Sequence, residues 1–298
     1  MGPGFRRGDS IVELLTPPFR RFAAIDWSGA KGRRHKGIAV AICDAGAGAP
    51  ALVRPGHIWS RTELLDWLVA AADEAPTLFG FDFSFAPPIH QRGEYLPGET
   101  GVPSDAKSFW AYVESRCDDE DLGAASFLER AHRRHFYFGA ADGAKRDFLH
   151  HRLCEQAFNA TGGGKASTLY DAIGAAQVAK ASFAGMRLLH RLDGRVPIWP
   201  MDPLPRQGSV VVEIYTRVFI RLAGLSGGKV RSLDQLDRAL AALGSGPAGL
   251  AQAPTDHETD VLIAAAGLRA IAARREYWRP SRLTAGLARA EGWTFGVE

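Results

Sequence analysis

The sequence predicts an α/β protein with a mixed sheet, flanked by helices and interrupted by a long helical insertion. Three observations carry this. Short apolar runs bounded by Gly, Pro and Asp alternate with stretches of helical apolar spacing. The first strands follow one another with hairpin-like turns, and the later ones are separated by segments long enough for crossovers. With 46% hydrophobic and 23% charged residues over 298 positions, the composition excludes a disordered or fibrous chain.

Residues 1–20 hold Pro3 between two glycines, then Arg6, Arg7 and Pro17-Pro18. They are expected to be a loosely tethered lead-in to a single domain over 21–298. Arg21–Asp26 is expected as a buried strand ending on an acid, and Ser28–Lys36 as a basic turn. Gly37–Cys43 is expected as a second strand, with a third between Leu52 and Trp59. Ser60 and Glu63 have capping-box spacing ahead of a helix whose apolar face is Leu64, Leu65, Trp67, Leu68 and Ala71. Thr77–Asp82 is a fourth buried strand, again ending on an acid, and Pro87-Pro88 stops it.

The insertion runs over about 89–205. Helical pieces are expected in it around Phe109–Arg116, Ala124–Arg134, Phe148–Phe158 and Leu169–Leu192. Ser209–Tyr215 reads as an apolar strand broken by Glu213, then Ser232–Leu243 as a helix and Gly244–Pro254 as a linker of small residues. Asp256–Arg275 is an alanine-rich helix, and Gly292–Val297 offers a short strand or a packed tail. No internal repeat is visible.

Bulk charge says little about partners. With 36 Lys and Arg against 33 Asp and Glu, the net charge of +3 is too small to argue for nucleic acid by itself. Cys43, Cys117 and Cys154 form no CxxC pair and no zinc-finger spacing, which predicts buried thiols in a reduced, cytoplasmic protein. No apolar window reaches ~18 residues, so no membrane span is expected. The N-terminus has neither a signal-peptide core nor the serine or threonine that myristoylation needs.

Four acidic sites are out of place statistically. Asp26, Asp82 and Glu213 lie in or at the end of apolar strands, where an unpaired charge costs several kcal/mol. Asp256 and Asp260 stand i, i+4 on one helix face, where like charges repel mildly and a cation would relieve them. Each has an ordinary explanation on its own: a turn starter, an N-cap, or for Asp256 a favourable place at a helix start after Pro254-Thr255. Together they favour a carboxylate cluster for hard divalent ions such as Mg²⁺ or Mn²⁺.

Five motifs in order resemble one family. They are Ala24-Ile-Asp26-Trp-Ser-Gly29, Gly80-Phe-Asp82-Phe-Ser-Phe-Ala-Pro-Pro88, Val212-Glu213-Ile-Tyr215, Asp256-His-Glu-Thr-Asp260-Val-Leu-Ile-Ala-Ala265 and Glu291-Gly-Trp-Thr-Phe-Gly-Val297. This set is similar to the predicted ribonuclease-H-like nucleases of the domain of unknown function 429. The resemblance implies a ribonuclease-H-like mixed sheet of five strands, three antiparallel and then crossover strands. It also implies a site in which Asp26 is the central ligand, joined by Asp82, Glu213 and Asp260. Asp256 or Glu258 supplies a further helical carboxylate, and the spacing leaves both open. Asp260-Val261 stands where the family pattern has Asp-Ala, and the insertion is not explained by the core fold.

The implied activity is metal-dependent hydrolysis of nucleic acid or another phosphodiester. Lys31, Arg33 and Arg34, with His35 and Lys36, follow the first strand and are candidates to touch phosphates, against a plain solvated turn. His132-Arg-Arg-His135 and Lys145-Arg146 read as exposed basic faces; the two histidines are i, i+3, but no further ligand motif accompanies them. Gly162–Lys165 lacks the Ser/Thr and the preceding strand of a phosphate loop. Trp110, Phe136, Tyr137 and Phe138 are expected to pack rather than to stack on bases. Two alternatives remain open: an actin-like ATP-dependent phosphotransferase, for which Gly29 is the single supporting glycine and no repeat is present, and a binding module without chemistry.

Overall fold

The computed structural model describes residues 17–162, 166–174, 178–225 and 230–298. Most of the expected lead-in, and the 163–165 part of the glycine-rich turn, lie outside them. The described strands form one six-stranded sheet in the order β3-β2-β1-β4-β6-β5. Its centre is β1 (Arg21–Asp26), antiparallel to β2 (Ala39–Asp44) and parallel to β4 (Thr77–Asp82). The sheet is therefore mixed, as expected.

The expected third strand is cut short. Only Ala51–Leu52 (β3) pairs with β2, because the chain then turns at Arg54 (φ 52°) and Gly56 (φ 75°). Trp59 returns to make an isolated bridge with His35. Helix α1 (Arg61–Glu74) starts where expected, with Ser60 Oγ accepting from the Glu63 amide. The reciprocal half of the capping box is absent: the Glu63 carboxylate takes Arg34, Arg54 and His57 instead.

The insertion contributes α2 (Ala106–Arg116), α3 (Leu153–Ala160) and α4 (Val178–Leu192). Around 124–134 the expected helix is a wide turn at Phe127–Ala131 followed by a tight one at Arg133–His135. Leu169 and Tyr170 precede a bridge between Tyr137 and Asp171, so the helix expected from Leu169 does not begin there; among the described residues it spans Val178–Leu192. The end of the insertion also supplies an unexpected strand, β5 (Ile198–Trp199), parallel to β6 (Val210–Glu213). It makes the sixth strand where five were expected.

After β6 come α5 (Thr216–Leu222), α6 (Leu233–Ala242), α7 (Asp256–Ile271), α8 (Arg275–Trp278) and α9 (Ala285–Ala290). The tail adds one bridge, Thr294 to Glu213, and the Phe295 amide donates to the Glu213 carbonyl.

Strand alternation divides the core in two. Ala23, Ile25, Phe79, Phe81 and Val211 face a cluster that includes residues of α1, α2 and α4. Phe22, Ala24, Leu78, Val210 and Val212 face one built with α5, α6 and α7. Gly80 lies on this second side, and a Cβ there would come within 2.8 Å of Ile214 and Leu268. The glycine lets α7 lie close against β4, which sets where the start of α7 falls relative to the strand ends. Cys43 and Cys154 are buried thiols, as expected, but Cys117 is only half-buried.

Candidate functional site

Asp26 and Asp82 are direct partners across the parallel β1–β4 pair. Paired residues of neighbouring strands leave the sheet on the same side. By alternation from Ala24 and Leu78, that side is the one covered by α7. Helix α7 begins at Thr255, whose hydroxyl accepts from the Glu258 amide while the Glu258 carboxylate takes the Thr255 amide at 2.8 Å. This capping box fixes the helix start. It engages Glu258 through Oε2, while the charges of Asp256 and Asp260 are felt by His257.

The carboxyls feel one another. Burial first, then the charges of Asp26 and Asp260, push the Asp82 carboxyl up to about 7. Thr216, at the start of α5, opposes this by donating its hydroxyl to Asp82 Oδ2 at 2.7 Å. Asp26 Oδ2 lies 2.6 Å from His257 Nδ1. That hydrogen bond raises the His257 pKa, with the charges of Asp26, Asp260 and Asp256 adding to it. Asp26, Asp82, Asp260 and Asp256 thus belong to one electrostatic neighbourhood, with the His257 imidazole beside it.

Glu213 requires a correction. Its partner across β4–β6 is Phe81, so it leaves the sheet on the side opposite to Asp82. There its carboxylate is fully used. Arg152 Nη1 donates to Oε2 at 2.7 Å and Arg152 Nη2 to Oε1, while the Phe85 amide (2.8 Å) and the Thr294 hydroxyl (2.6 Å) complete the set. Arg152 is itself 1% exposed and also binds Glu155 at 2.9 Å. A carboxylate with four donors has no lone pair for a metal ion. Glu213 is a buried structural anion.

The basic turn is likewise committed. Lys31 pairs with Glu129 at 2.7 Å, Arg33 with Glu120 at 2.6 Å and Arg34 with Glu63 at 2.7 Å. His35 is buried on Asp121, which also accepts from the Arg61 amide. These contacts tie the turn to the insertion and α1, and Lys31, Arg33 and Arg34 do not line the cavity described next. The glycine of the first motif has a steric cause. A Cβ on Gly29 would fall 2.1 Å from the Lys180 backbone, so α4 packs directly on that turn.

A cavity of ≈ 380 Å³ opens at this end of the sheet, and Asp26, Asp82, His257, Tyr215, Arg152 and Glu213 are among its lining residues. Three residues here escaped the sequence reading. His257 lies inside the helix motif between the two acids, Thr216 directly follows the Val212–Tyr215 motif, and Arg152 was implied only by the need of a buried Glu213 for a cation. Trp110 is fully buried and its indole donates to the Phe85 carbonyl at 2.7 Å, and Phe136 is fully buried, so both serve packing. Compared with known proteins, the chain matches no family model, no curated protein and no solved structure.

Proposed function

We propose that the protein is a metal-dependent hydrolase of phosphodiesters, nuclease-like, on a ribonuclease-H-like sheet. The observation that carries this reading is the pairing of Asp26 and Asp82 at adjacent parallel strand ends, on the face where α7 brings Asp260. The donor set fits the group. Carboxylate oxygens are the preferred ligands of Mg²⁺ and Mn²⁺, and the raised Asp82 carboxyl marks negative charge that a divalent ion would offset. Asp26, Asp82 and Asp260, with Asp256, would hold one or two such ions. Bound there, they would supply an activated water and neutralise charge on a phosphate oxygen.

The chain's own groups have separate tasks. Thr216 orients the Asp82 carboxylate through its hydroxyl. His257 holds Asp26 and lines the cavity, where its protonated form would suit an anionic substrate. Arg152 and Glu213 cancel each other and keep the sheet end rigid. The resemblance to the domain of unknown function 429 supports the same reading, and free cysteines suit a cytoplasmic setting. The phosphotransferase alternative loses its one supporting residue, since Gly29 answers to packing against α4.

The test is a titration of Mn²⁺ and Mg²⁺ into wild type and Asp26→Asn, following thermal unfolding and the cleavage of DNA and RNA oligonucleotides. Metal stabilisation and cleavage in wild type, both lost in the variant, are expected. Equal behaviour of the two proteins would sink the reading.

A further inference from the structure

A second ligand set lies in the insertion, away from the sheet end. The loop Leu96-Pro97-Gly98 delivers Glu99, with Gly98 at φ 77° making the turn. The tight turn Arg133–His135 delivers His135, and His132 is the residue just before its start. Three residues apart around this turn, both imidazoles reach the same carboxylate, that of Glu99. Glu99, His132 and His135 each present one ligand atom, and these atoms lie within 4.8 Å of one another.

The contacts are those of a nearly closed site. His135 Nε2 is 3.0 Å from Glu99 Oε1, and His132 Nδ1 is 3.6 Å from the same oxygen. Around a tetrahedral ion with ligands at 2.0–2.1 Å, neighbouring ligand atoms stand about 3.3 Å apart. His132 Nδ1 is buried without a hydrogen-bond partner, in a ring that is 6% exposed. Such an atom costs free energy unless something claims it. Its other nitrogen, Nε2, lies 3.1 Å from the Tyr112 hydroxyl. That contact fixes the ring as an outer partner fixes a metal-bound histidine. Phe127 walls the ring, with centroids 4.5 Å apart.

We propose that Glu99, His132 and His135 bind a zinc ion, leaving a fourth position open to water. Two imidazoles and one carboxylate select a borderline metal over Mg²⁺ or Mn²⁺, so this site is chemically distinct from the carboxylate site. The Arg134 guanidinium stands beside the set: its Nε donates to Glu99 Oε1 at 3.0 Å and reaches His135 Nε2 at 3.3 Å. Its side chain is 62% exposed, and its Nη2 also pairs with Glu99 and donates to the Gly98 carbonyl, so an entering ion would have to displace it. The bound ion would pin the Glu99 loop to the 132–135 turn.

The experiment is calorimetric titration of Zn²⁺ into the full chain in excess Mg²⁺, which occupies hard carboxylate sites. Wild type and Asp26→Asn should both bind one equivalent. His132→Gln with His135→Gln should lose more than the roughly 10–100-fold in affinity that loss of an outer partner costs, Tyr112→Phe should fall within that range, and Arg134→Gln should bind more tightly. Wild type loaded with Co²⁺ should show the visible bands of a four-coordinate ion, a readout that needs no variant. Absence of binding at tens of micromolar protein, or equal binding by wild type and the double histidine variant, would overturn the proposal. Binding lost in Asp26→Asn would do so too, by moving the zinc to the sheet end.

Discussion

Asp82→Asn tests whether the carboxyl cluster stores electrostatic cost. In the folded protein, burial and the charges of Asp26 and Asp260 hold Asp82 at about 7, against 3.8 for an exposed aspartate. A raised carboxyl stabilises the fold below the unfolded value, and that contribution is lost as pH rises through the folded value. At 1.36 kcal/mol per pH unit, the cost is near zero below pH 4, roughly 1.5 kcal/mol at pH 5 and about 4 kcal/mol at pH 8. Asparagine keeps an oxygen for the Thr216 hydroxyl and never ionises. Metal-free Asp82→Asn should therefore be more stable than wild type, with an advantage that grows by about 2–3 kcal/mol between pH 5 and pH 8. The assay is urea unfolding of both proteins in chelator at the two pH values. At pH 8 an added divalent ion should close the gap by stabilising wild type alone. An advantage that is absent, or the same at both pH values, would refute the crowding of these carboxyls.

Three further outcomes follow from the same contacts. Arg152→Met strands Glu213 and Glu155 as buried charges, and chemical denaturation should register a loss of about 3–5 kcal/mol; a loss below about 1 kcal/mol would mean that the pair is solvated. His257→Gln should cost stability most near pH 6 and progressively less toward pH 9, because the raised imidazole contributes its full share below its unfolded value and loses it as pH passes the folded one. A flat pH profile of the difference in melting temperature would refute the His257–Asp26 pair. Gly29→Ala drives a methyl into the Lys180 backbone and should destabilise by about 1–3 kcal/mol in urea unfolding, with no loss if α4 stands clear of the turn.

Much of the sheet was legible because apolar runs ending on an acid are rare and specific. Arg21–Asp26 and Thr77–Asp82 announce both a strand and a candidate ligand in six residues each. The edge strand β5 was not legible, since two residues, Ile198 and Trp199, carry no period. The helix expected at 124–134 failed for a similar reason: its apolar residues suit two short turns as well as one helix, and tertiary packing of Phe127 decides.

Glu213 shows where reading by residue type stops. A strand buried on both sides is apolar at every position, so Val210-Val-Val-Glu213 has no alternation to reveal which side the acid takes. That side depends on register with β4, where Glu213 meets Phe81 and not Asp82. One residue of offset moves a carboxylate through the sheet. On one side it finds Arg152, 61 residues earlier in the chain, and becomes a neutralised part of the scaffold. On the other, Asp82 finds a hydroxyl and two more acids, and keeps a demand for positive charge that no described side chain bonded to it meets. Two acids with the same strand-end signature thus meet opposite surroundings, and only the second keeps the chemistry that the proposed metal site requires.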